Sequence, residues 1–180
     1  MLAFAPVHSL AAKSAAPEIA VETLKPGQFA WHPERASSGP LEVVVSLSQQ
    51  MAYVYRGGTL IGASTVSSGK PGHDTPVGHF PILQKRAKHF SNKYDNAPMP
   101  FMQRLNWHGV ALHGGAIPGY PASHGCVRLP HKFAQKLFAA TTLGSSVYIM
   151  DAAPGSPKAA LAMAKANYGG QGTQMASAAP

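Results

Sequence analysis

The sequence predicts a mainly β domain, an antiparallel sandwich or barrel-like fold with one packed α-helix. Short runs of β-branched and aromatic residues alternate with glycine turns such as Gly57-Gly58, which is typical of antiparallel strands in a meander. A single stretch after Pro130 has the apolar spacing of an amphipathic helix. The chain has 180 residues, a length that predicts one domain.

The predicted strands are the runs with the strongest β-branched and aromatic character. They cover residues 41–48, 51–56, 59–67, 77–83, 101–105, 110–113 and 146–150. The predicted helix follows Pro130, because proline is favoured in a first helical turn. Its apolar face is formed by Phe133, Ala134, Leu137 and Phe138, and Lys132 and Lys136 face solvent. Gly144 follows shortly after its end.

Composition divides the chain into three segments. Residues 40–151 form the predicted folded unit, and about 110 residues are enough for one core without disulfides. Residues 1–39 form a leader and linker, which Trp31 pins to the domain, and residues 152–180 form a low-complexity, disordered tail. The apolar start, residues 2–12, is interpreted as a signal peptide clipped at its front, and a merely disordered leader is the alternative.

Charge and cysteine content limit the possible functions. The chain has 15 Lys and Arg against 7 Asp and Glu, and the net charge of +8 suits a polyanionic partner such as nucleic acid, anionic lipid or a cell-wall polymer. Nucleic acid is not expected, because no stacking aromatics alternate with basic residues in a known motif. No apolar run approaches the roughly 18 residues of a transmembrane helix. The single cysteine cannot form an internal disulfide.

Residues 110–129 have the composition of a reactive site. His113, Ser123, His124, Cys126 and Arg128 lie within this stretch, among glycines that let the backbone approach a ligand. A cysteine nucleophile reacts as the thiolate, so it needs a nearby imidazole that lowers the pKa of its thiol. His113 ends a predicted strand thirteen residues before Cys126, and the Gly/Pro-rich loop between them allows the two to meet.

Other interpretations of these residues remain open at this point. Cys126 alone is compatible with a small buried hydrophobe. His113, His124 and Cys126 are compatible with a catalytic zinc site, although no acidic residue lies between Asp95 and Asp151 and the spacing matches no common zinc signature. A papain-like cysteine hydrolase would use the same pair but has sequence elements that are missing here. We therefore expect no metal and no cofactor.

The motifs resemble one known family. His113-Gly114 followed by Ser123-His124-Gly125-Cys126-Val127-Arg128 is similar to the active-site signature of the L,D-transpeptidases, the YkuD-type catalytic domain of bacterial cell-wall enzymes. The segment 75–80, Thr-Pro-Val-Gly-His-Phe, resembles an upstream strand entry of the same family. The resemblance covers residues 41–151 and implies the L,D-transpeptidase catalytic fold. The loop between His113 and Cys126 is at the short end of the spacing usual in that family.

The resemblance implies a role for each residue. Cys126 would be the nucleophile and His113 its base, with the Gly114 carbonyl fixing the orientation of the imidazole. The backbone amides of Gly125 and Cys126 would stabilise an oxyanion. The side chains of Ser123 and His124 would be accessory groups beside the thiol, and Arg128 would bind a substrate carboxylate, unless it forms only an exposed ion pair at the helix entrance.

The implied substrate is the stem peptide of peptidoglycan. Attack at the carbonyl of the third, L-centred residue would expel D-alanine and leave a thioester, which an amine of a second stem, an amine of a wall-anchored protein or water would resolve. The implied location is periplasmic or cell-wall facing, and carbapenems would be inhibitors. The alternative is a non-catalytic peptidoglycan-binding protein that retains the fold.

Two further features have weaker interpretations. The basic segment from Lys85 to Lys93 is compatible with a wall-binding loop, a lid over the site or a solvated loop. Trp107 and Tyr120 are compatible with substrate contacts or with ordinary packing.

Overall fold

The computed structural model describes residues 19–93 and 96–170. The ten strands of the described residues are β1 (Phe29–Trp31), β2 (Leu41–Ser46), β3 (Met51–Arg56), β4 (Thr59–Thr65), β5 (Gly78–Pro81), β6 (Gln84–Arg86), β7 (Met102–Arg104), β8 (Ala111–Gly114), β9 (Val127–Leu129) and β10 (Ser146–Met150). The two α-helices are α1 (His131–Ala140) and α2 (Pro157–Tyr168), and short 3-10 turns cover Val21–Thr23 and Pro33–Arg35.

These strands form two sheets. The first has the order β1-β4-β3-β2-β10-β5 and the second has the order β6-β7-β8-β9. The predicted mainly β class with a helix after the cysteine is confirmed. Two pairs differ from the antiparallel expectation, because β10 pairs with β2 and β9 pairs with β8 in parallel. Parallel strands cannot be joined by a tight turn. The loop of residues 115–126 connects β8 to β9, and seven strands and α1 lie between β2 and β10 in the chain.

The main core lies between the two sheets and is closed by α1. Phe133, Ala134 and Leu137 are fully buried in it, as the helix pattern predicts, and Phe138 is partly buried. The C-terminal carbonyls of α1 are bonded by a side chain from the second sheet, since the Lys85 amine donates to the carbonyls of Phe138 and Thr141 at 2.6 and 2.5 Å. Lys85 is therefore a structural member of the basic segment.

The central position of β2 in the first sheet explains why its apolar residues do not alternate with polar ones. Val43 and Val45 face the main core, whereas Val44 faces a second apolar cluster on the outer surface of the first sheet. Both faces of this strand are covered, so all six of its residues are buried.

The prediction that residues 152–180 form no core is wrong for α2. Ala160 and Ala164 of this helix are fully buried against the outer surface of the first sheet, beside Tyr55 and Tyr148. Small alanines allow a helix to approach a sheet closely, but the same residues make the segment look like low-complexity sequence. Residues 171–180 lie outside the described part of the chain.

The interpretation of residues 1–39 as leader and linker also needs correction. Strand β1 pairs with β4 at the edge of the first sheet, and Ile19 and Val21 are buried in the outer cluster. Trp31 attaches this segment to the domain as predicted, because its ring meets Phe133 edge-on with centroids 5.6 Å apart. Residues 1–18, which include the signal-like start at residues 2–12, lie outside the described residues.

Candidate active site

A cavity of about 670 Å³ opens on the outer face of the second sheet. Strands β7, β8 and β9 form its floor, and parts of the segment from His89 to Pro100 form one wall. Of the residues expected in the site, His113, Gly114, Ser123, His124, Cys126 and Arg128 all line this cavity.

The strand register explains why these residues meet. In the parallel pair, Leu112 lies opposite Val127 and His113 lies opposite Arg128. Leu112 and Val127 point into the main core, where both are fully buried. Because alternate residues of a strand point to opposite faces, His113 and Arg128 face the cavity, and so does Cys126, which immediately precedes β9.

The His113 ring has a defined orientation. Its Nδ1 lies 2.9 Å from the Gly114 carbonyl oxygen, a group that only accepts hydrogen bonds. Nδ1 of the neutral ring therefore carries the proton, and Nε2 has the lone pair that can accept one. The backbone of Gly114 is fixed in turn, since its N–H donates to the Pro100 carbonyl at 2.8 Å.

Hydrogen bonds hold the loop that carries Cys126. The Ser123 hydroxyl donates to the Cys126 carbonyl at 2.5 Å and accepts the Gly125 N–H at 3.1 Å. The Thr75 hydroxyl donates to the Gly125 carbonyl at 3.0 Å and accepts the Gly69 N–H at 2.9 Å. Gly125 has a φ of +112°, which favours glycine at this position. A hydrogen bond thus directly connects the two family-like motifs, around Thr75 and around Cys126.

One implied role changes because of this arrangement. The Gly125 N–H, expected to stabilise an oxyanion, already donates to the Ser123 hydroxyl. A donor that is engaged inside its own loop is not directed at a ligand.

The Cys126 thiol forms a hydrogen bond with the backbone of a turn that the sequence did not indicate. Its Sγ–H donates to the Gly109 carbonyl at 3.3 Å. The Asn106 side chain shapes this turn by accepting the N–H groups of His108 and Val110, each at 3.0 Å. Lys93 supports it further, because its amine donates to the His108 carbonyl at 2.9 Å.

Burial affects the two titratable groups in opposite directions. It raises the pKa of the Cys126 thiol, and the Ala111 backbone and the Arg104 and Arg128 guanidinium groups oppose that effect only in part. Burial also lowers the pKa of the His113 imidazole, against the hydrogen bond to Gly114. Both directions favour the uncharged forms of the two groups, a thiol and a neutral imidazole.

Burial outweighs the groups that lower the pKa of the Cys126 thiol, and the His113 imidazole is not among those groups. A neutral imidazole supplies no positive charge to stabilise a thiolate. The arrangement instead suits transfer of the thiol proton during attack, with the imidazole as general base.

The remaining expected residues have distinct surroundings. The Arg128 side chain packs against Gly115, where an added Cβ would lie only 3.1 Å from its aliphatic carbons. The His124 ring meets the His73 ring edge-on, with centroids 4.8 Å apart. Trp107 lines the cavity and is half-exposed, whereas Tyr120 is exposed and is not among the lining residues.

The basic segment contributes a wall to the cavity. His89 and Lys93 line it, while Lys85 turns inward to α1. Sequence reasoning missed Arg104, another cavity residue, because it belongs to a short strand outside both motifs. Its register opposite Ala111 is set only by the fold.

The described residues contain neither a group of metal-binding side chains nor a membrane-spanning helix. Within residues 19–93 and 96–170, no three His, Cys, Asp or Glu side chains form a group that could hold a metal ion. No helix in this part of the chain is long and apolar enough to cross a membrane.

Comparison with known proteins identifies the family. The family model of the L,D-transpeptidase catalytic domain, YkuD, matches residues 40–149, more than half of the chain. The chain belongs to the L,D-transpeptidase family. The match begins at the start of the first long strand and ends within β10, so it contains the entire cavity floor.

Individual L,D-transpeptidases resemble the chain over its central part. L,D-transpeptidase 1 of Mycobacterium tuberculosis is 28% identical over 123 residues, which are 59% of this chain and 49% of that protein. The crystal structure of an L,D-transpeptidase from Stackebrandtia nassauensis is 30% identical with a TM-score of 0.59, covering 67% of this chain and 60% of the other. The L,D-transpeptidase LdtMt1 in complex with imipenem is 26% identical with a TM-score of 0.57, covering 61% and 58%. The chain spans about half the length of the curated L,D-transpeptidases that it matches.

Proposed function

We propose that this chain is a peptidoglycan L,D-transpeptidase with Cys126 as its nucleophile. Cys126 attacks the stem peptide at the carbonyl of the third, L-centred residue and expels D-alanine. The acyl group then passes from the thioester to an amine or to water. Family membership supports the reaction class, and the residues of the cavity support the assignment of roles.

The observation that carries this proposal is the shared cavity face of Cys126 and His113. The parallel pairing of β8 with β9 directs both side chains to the same side of the sheet. The bond from Nδ1 to Gly114 leaves Nε2 of the same ring as the proton acceptor. A nucleophile and an oriented base are the minimum requirement for covalent acyl transfer.

Acylation proceeds from the neutral pair. The Cys126 Sγ forms a bond to the carbonyl carbon while its proton moves to His113 Nε2, which creates a tetrahedral oxyanion beside an imidazolium. The Gly114 carbonyl stabilises that imidazolium through Nδ1. The proton then passes to the amine of the leaving D-alanine, the carbon–nitrogen bond breaks, and a thioester remains.

The oxyanion needs a donor other than the Gly125 amide. We assign the backbone N–H of Cys126 to this role, because it belongs to the same residue as the nucleophilic thiol. One preorganised donor of this kind typically contributes about 3 kcal/mol to transition-state stability. Ser123 and His124 are accessory residues in this scheme, Ser123 by holding the loop and His124 by lining the cavity beside the thiol.

The second half-reaction reverses the proton path. His113 Nε2 accepts a proton from an incoming amine, which attacks the thioester and releases the thiol. An amine of a neighbouring stem gives a cross-link, an amine of a wall-anchored protein gives an anchored protein, and water gives a shortened stem. Such substrates require a periplasmic or wall-facing location, to which the chain would be exported.

We also infer that carbapenems acylate Cys126. The support is the imipenem complex of a relative that is 26% identical to this chain. The drug presents a strained acyl carbon for Cys126 and a carboxylate for Arg128.

Digestion of purified sacculi tests the function directly. The sacculi are incubated with the wild-type protein or with Cys126→Ala, and the released muropeptides are separated and weighed. New L,D cross-links or shortened stems with the wild type alone are the expected result. Binding of both proteins to sacculi with no change in muropeptides would replace this function by the alternative, a peptidoglycan-binding protein that retains the fold.

A further inference from the structure

We propose that Arg104 binds a second substrate carboxylate, on the opposite side of the catalytic pair from Arg128. The proposal deepens the proposed function and rests on it, because the ligand is the peptide that acylates Cys126. It defines the substrate class as a peptide with at least two carboxylates near the attacked carbonyl.

Strand register places Arg104 in the same row as the nucleophile. Arg104 of β7 lies opposite Ala111 of β8, and the parallel register of β8 and β9 continues that row to Cys126. Residues that are directly opposite in neighbouring strands share a face of the sheet. With strands about 4.8 Å apart, the Arg104 and Cys126 backbones are separated by about 10 Å, with only the small Ala111 side chain between them.

The next row along the strands holds the other arginine. His113 lies opposite Arg128, and the β7–β8 register continues that row to Met102. The two arginines therefore occupy opposite corners of a grid of three strands by two rows. Cys126 occupies a third corner and His113 the middle of the second row, so the line that joins these two catalytic residues passes between the arginines. A peptide that lies across the thiol can therefore reach both guanidinium groups.

The Arg104 guanidinium is held while most of its donors remain available. Its Nε donates to the Gln84 side chain at 3.0 Å, and its Cζ lies over the Trp107 ring, 5.3 Å from the ring centre. That Nε bond is the only hydrogen bond the side chain makes with the described residues. The two terminal nitrogens can therefore form the paired contacts that suit a carboxylate.

The charge of the cavity fits a ligand with several carboxylates. Arg104, Arg128 and Lys93 line it, and none of its described lining residues is an aspartate or glutamate. A peptide ending in D-alanine has its terminal carboxylate one residue from the attacked carbonyl, and side-chain carboxylates of the stem would be the second group. Electrostatic attraction of this kind favours binding in the ground state and would therefore act mainly on KM.

The test pairs arginine variants with amidated substrates. Acylation is measured with synthetic stem tetrapeptides in which one carboxylate at a time is converted to an amide, using the wild type, Arg104→Gln and Arg128→Gln. Arg86→Gln is the matched control, because Arg86 lies on the neighbouring strand β6, is exposed and is not a lining residue. Arg104→Lys tests whether charge without the planar fork suffices.

We expect Arg104→Gln to raise KM by roughly ten- to a hundredfold with little change in kcat, since it removes a charge-assisted hydrogen bond. One amidated peptide should show the same rise with the wild type and no further rise with Arg104→Gln. A different amidated peptide should pair with Arg128→Gln in the same way. Arg86→Gln should match the wild type, and Arg104→Lys should recover part of the loss.

Two results would overturn the proposal. If Arg104→Gln raised KM equally for every amidated peptide, Arg104 would not bind any one of these carboxylates. A loss confined to kcat, with a shifted pH dependence of thiol alkylation, would show that Arg104 acts on the thiol. If Arg104→Gln does not fold, the KM values of the wild type for the amidated peptides decide. The proposal is then refuted if KM rises only for the peptide whose amidated carboxylate is assigned to Arg128. Absence of acylation by any peptide in the wild type would count against the proposed function instead.

Discussion

The outer face of the first sheet and the cavity face of the second sheet differ in the surroundings of their polar side chains. On the outer face, helix α2 covers the sheet, and two polar side chains of the sheet are paired with residues of that helix. Tyr55 donates to the Pro157 carbonyl, and Lys165 lies 3.0 Å from buried Glu42. On the cavity face, four imidazoles and two guanidinium groups border an open volume. Changes on the cavity face should therefore alter kinetics, and changes beneath α2 should alter stability.

The largest expected effect is loss of the base. His113→Ala should lower the acylation rate by about a hundredfold to ten-thousandfold, the usual contribution of a general base. His124→Ala should retain measurable activity, because that ring is not the one oriented by Gly114. Single-turnover acylation of each variant measures both rates. Equal losses, or a larger loss for His124→Ala, would reassign the base.

A smaller kinetic loss is expected from the residue that joins the two motifs. Thr75→Val removes the hydroxyl that bonds both Gly125 and Gly69, so the Cys126 loop should lose its fixed position. We expect kcat/KM for acylation to fall roughly ten- to a hundredfold, the scale of misplaced catalytic groups. Thr75→Ser keeps the hydroxyl and should recover most of the activity. A Thr75→Val enzyme as active as the wild type would show that the loop is held by its other bonds.

These assignments show what the sequence could and could not predict about the site. His113 and Cys126 were predicted from their residue types and spacing, and the contact of the His113 ring with the Gly114 carbonyl was predicted from the family resemblance. Arg104 was not, since its place in the same row as Cys126 depends on the register of three strands. The raised thiol pKa was not predicted either, because burial of Cys126 is a property of the folded cavity.

The fold shows the same limit. Strand β10 was predicted with its observed ends, because alternating β-branched and aromatic residues mark it clearly. Helix α2 was missed, since its contact with the sheet uses Ala160 and Ala164 and small side chains give a weak periodic signal. Lys85 looked like a surface charge, and only the position of α1 next to β6 turns it inward.

The protonation states of Cys126 and His113 should give pH effects of intermediate size on alkylation and acylation. Because burial raises the pKa of the Cys126 thiol, alkylation by iodoacetamide should accelerate about tenfold per pH unit up to at least pH 8.5, the ordinary thiol value. Burial lowers the pKa of His113, so kcat/KM for acylation should lose half its value only below about pH 6.5. An alkylation plateau below pH 7 would instead indicate a thiolate–imidazolium pair.

The outer face should show no kinetic effect per folded molecule. Ala160→Asp puts a carboxylate at a fully buried position beneath α2 and should lower the free energy of unfolding by about 3 kcal/mol. Ala162→Asp, at an exposed position of the same helix, is the matched control and should change it by less than about 0.5 kcal/mol. Urea denaturation measures both. A changed kcat/KM in folded Ala160→Asp would show that the two faces are coupled.

The identity of the acylated residue tests the central claim most directly. The wild-type protein is incubated with a stem tetrapeptide, quenched in acid and analysed by intact mass and peptide mapping. The account predicts one acyl group per chain, with the mass of the tetrapeptide acyl after loss of D-alanine, located on Cys126 and absent from Cys126→Ala. Acylation of another residue, or turnover of the tetrapeptide by Cys126→Ala, would contradict it.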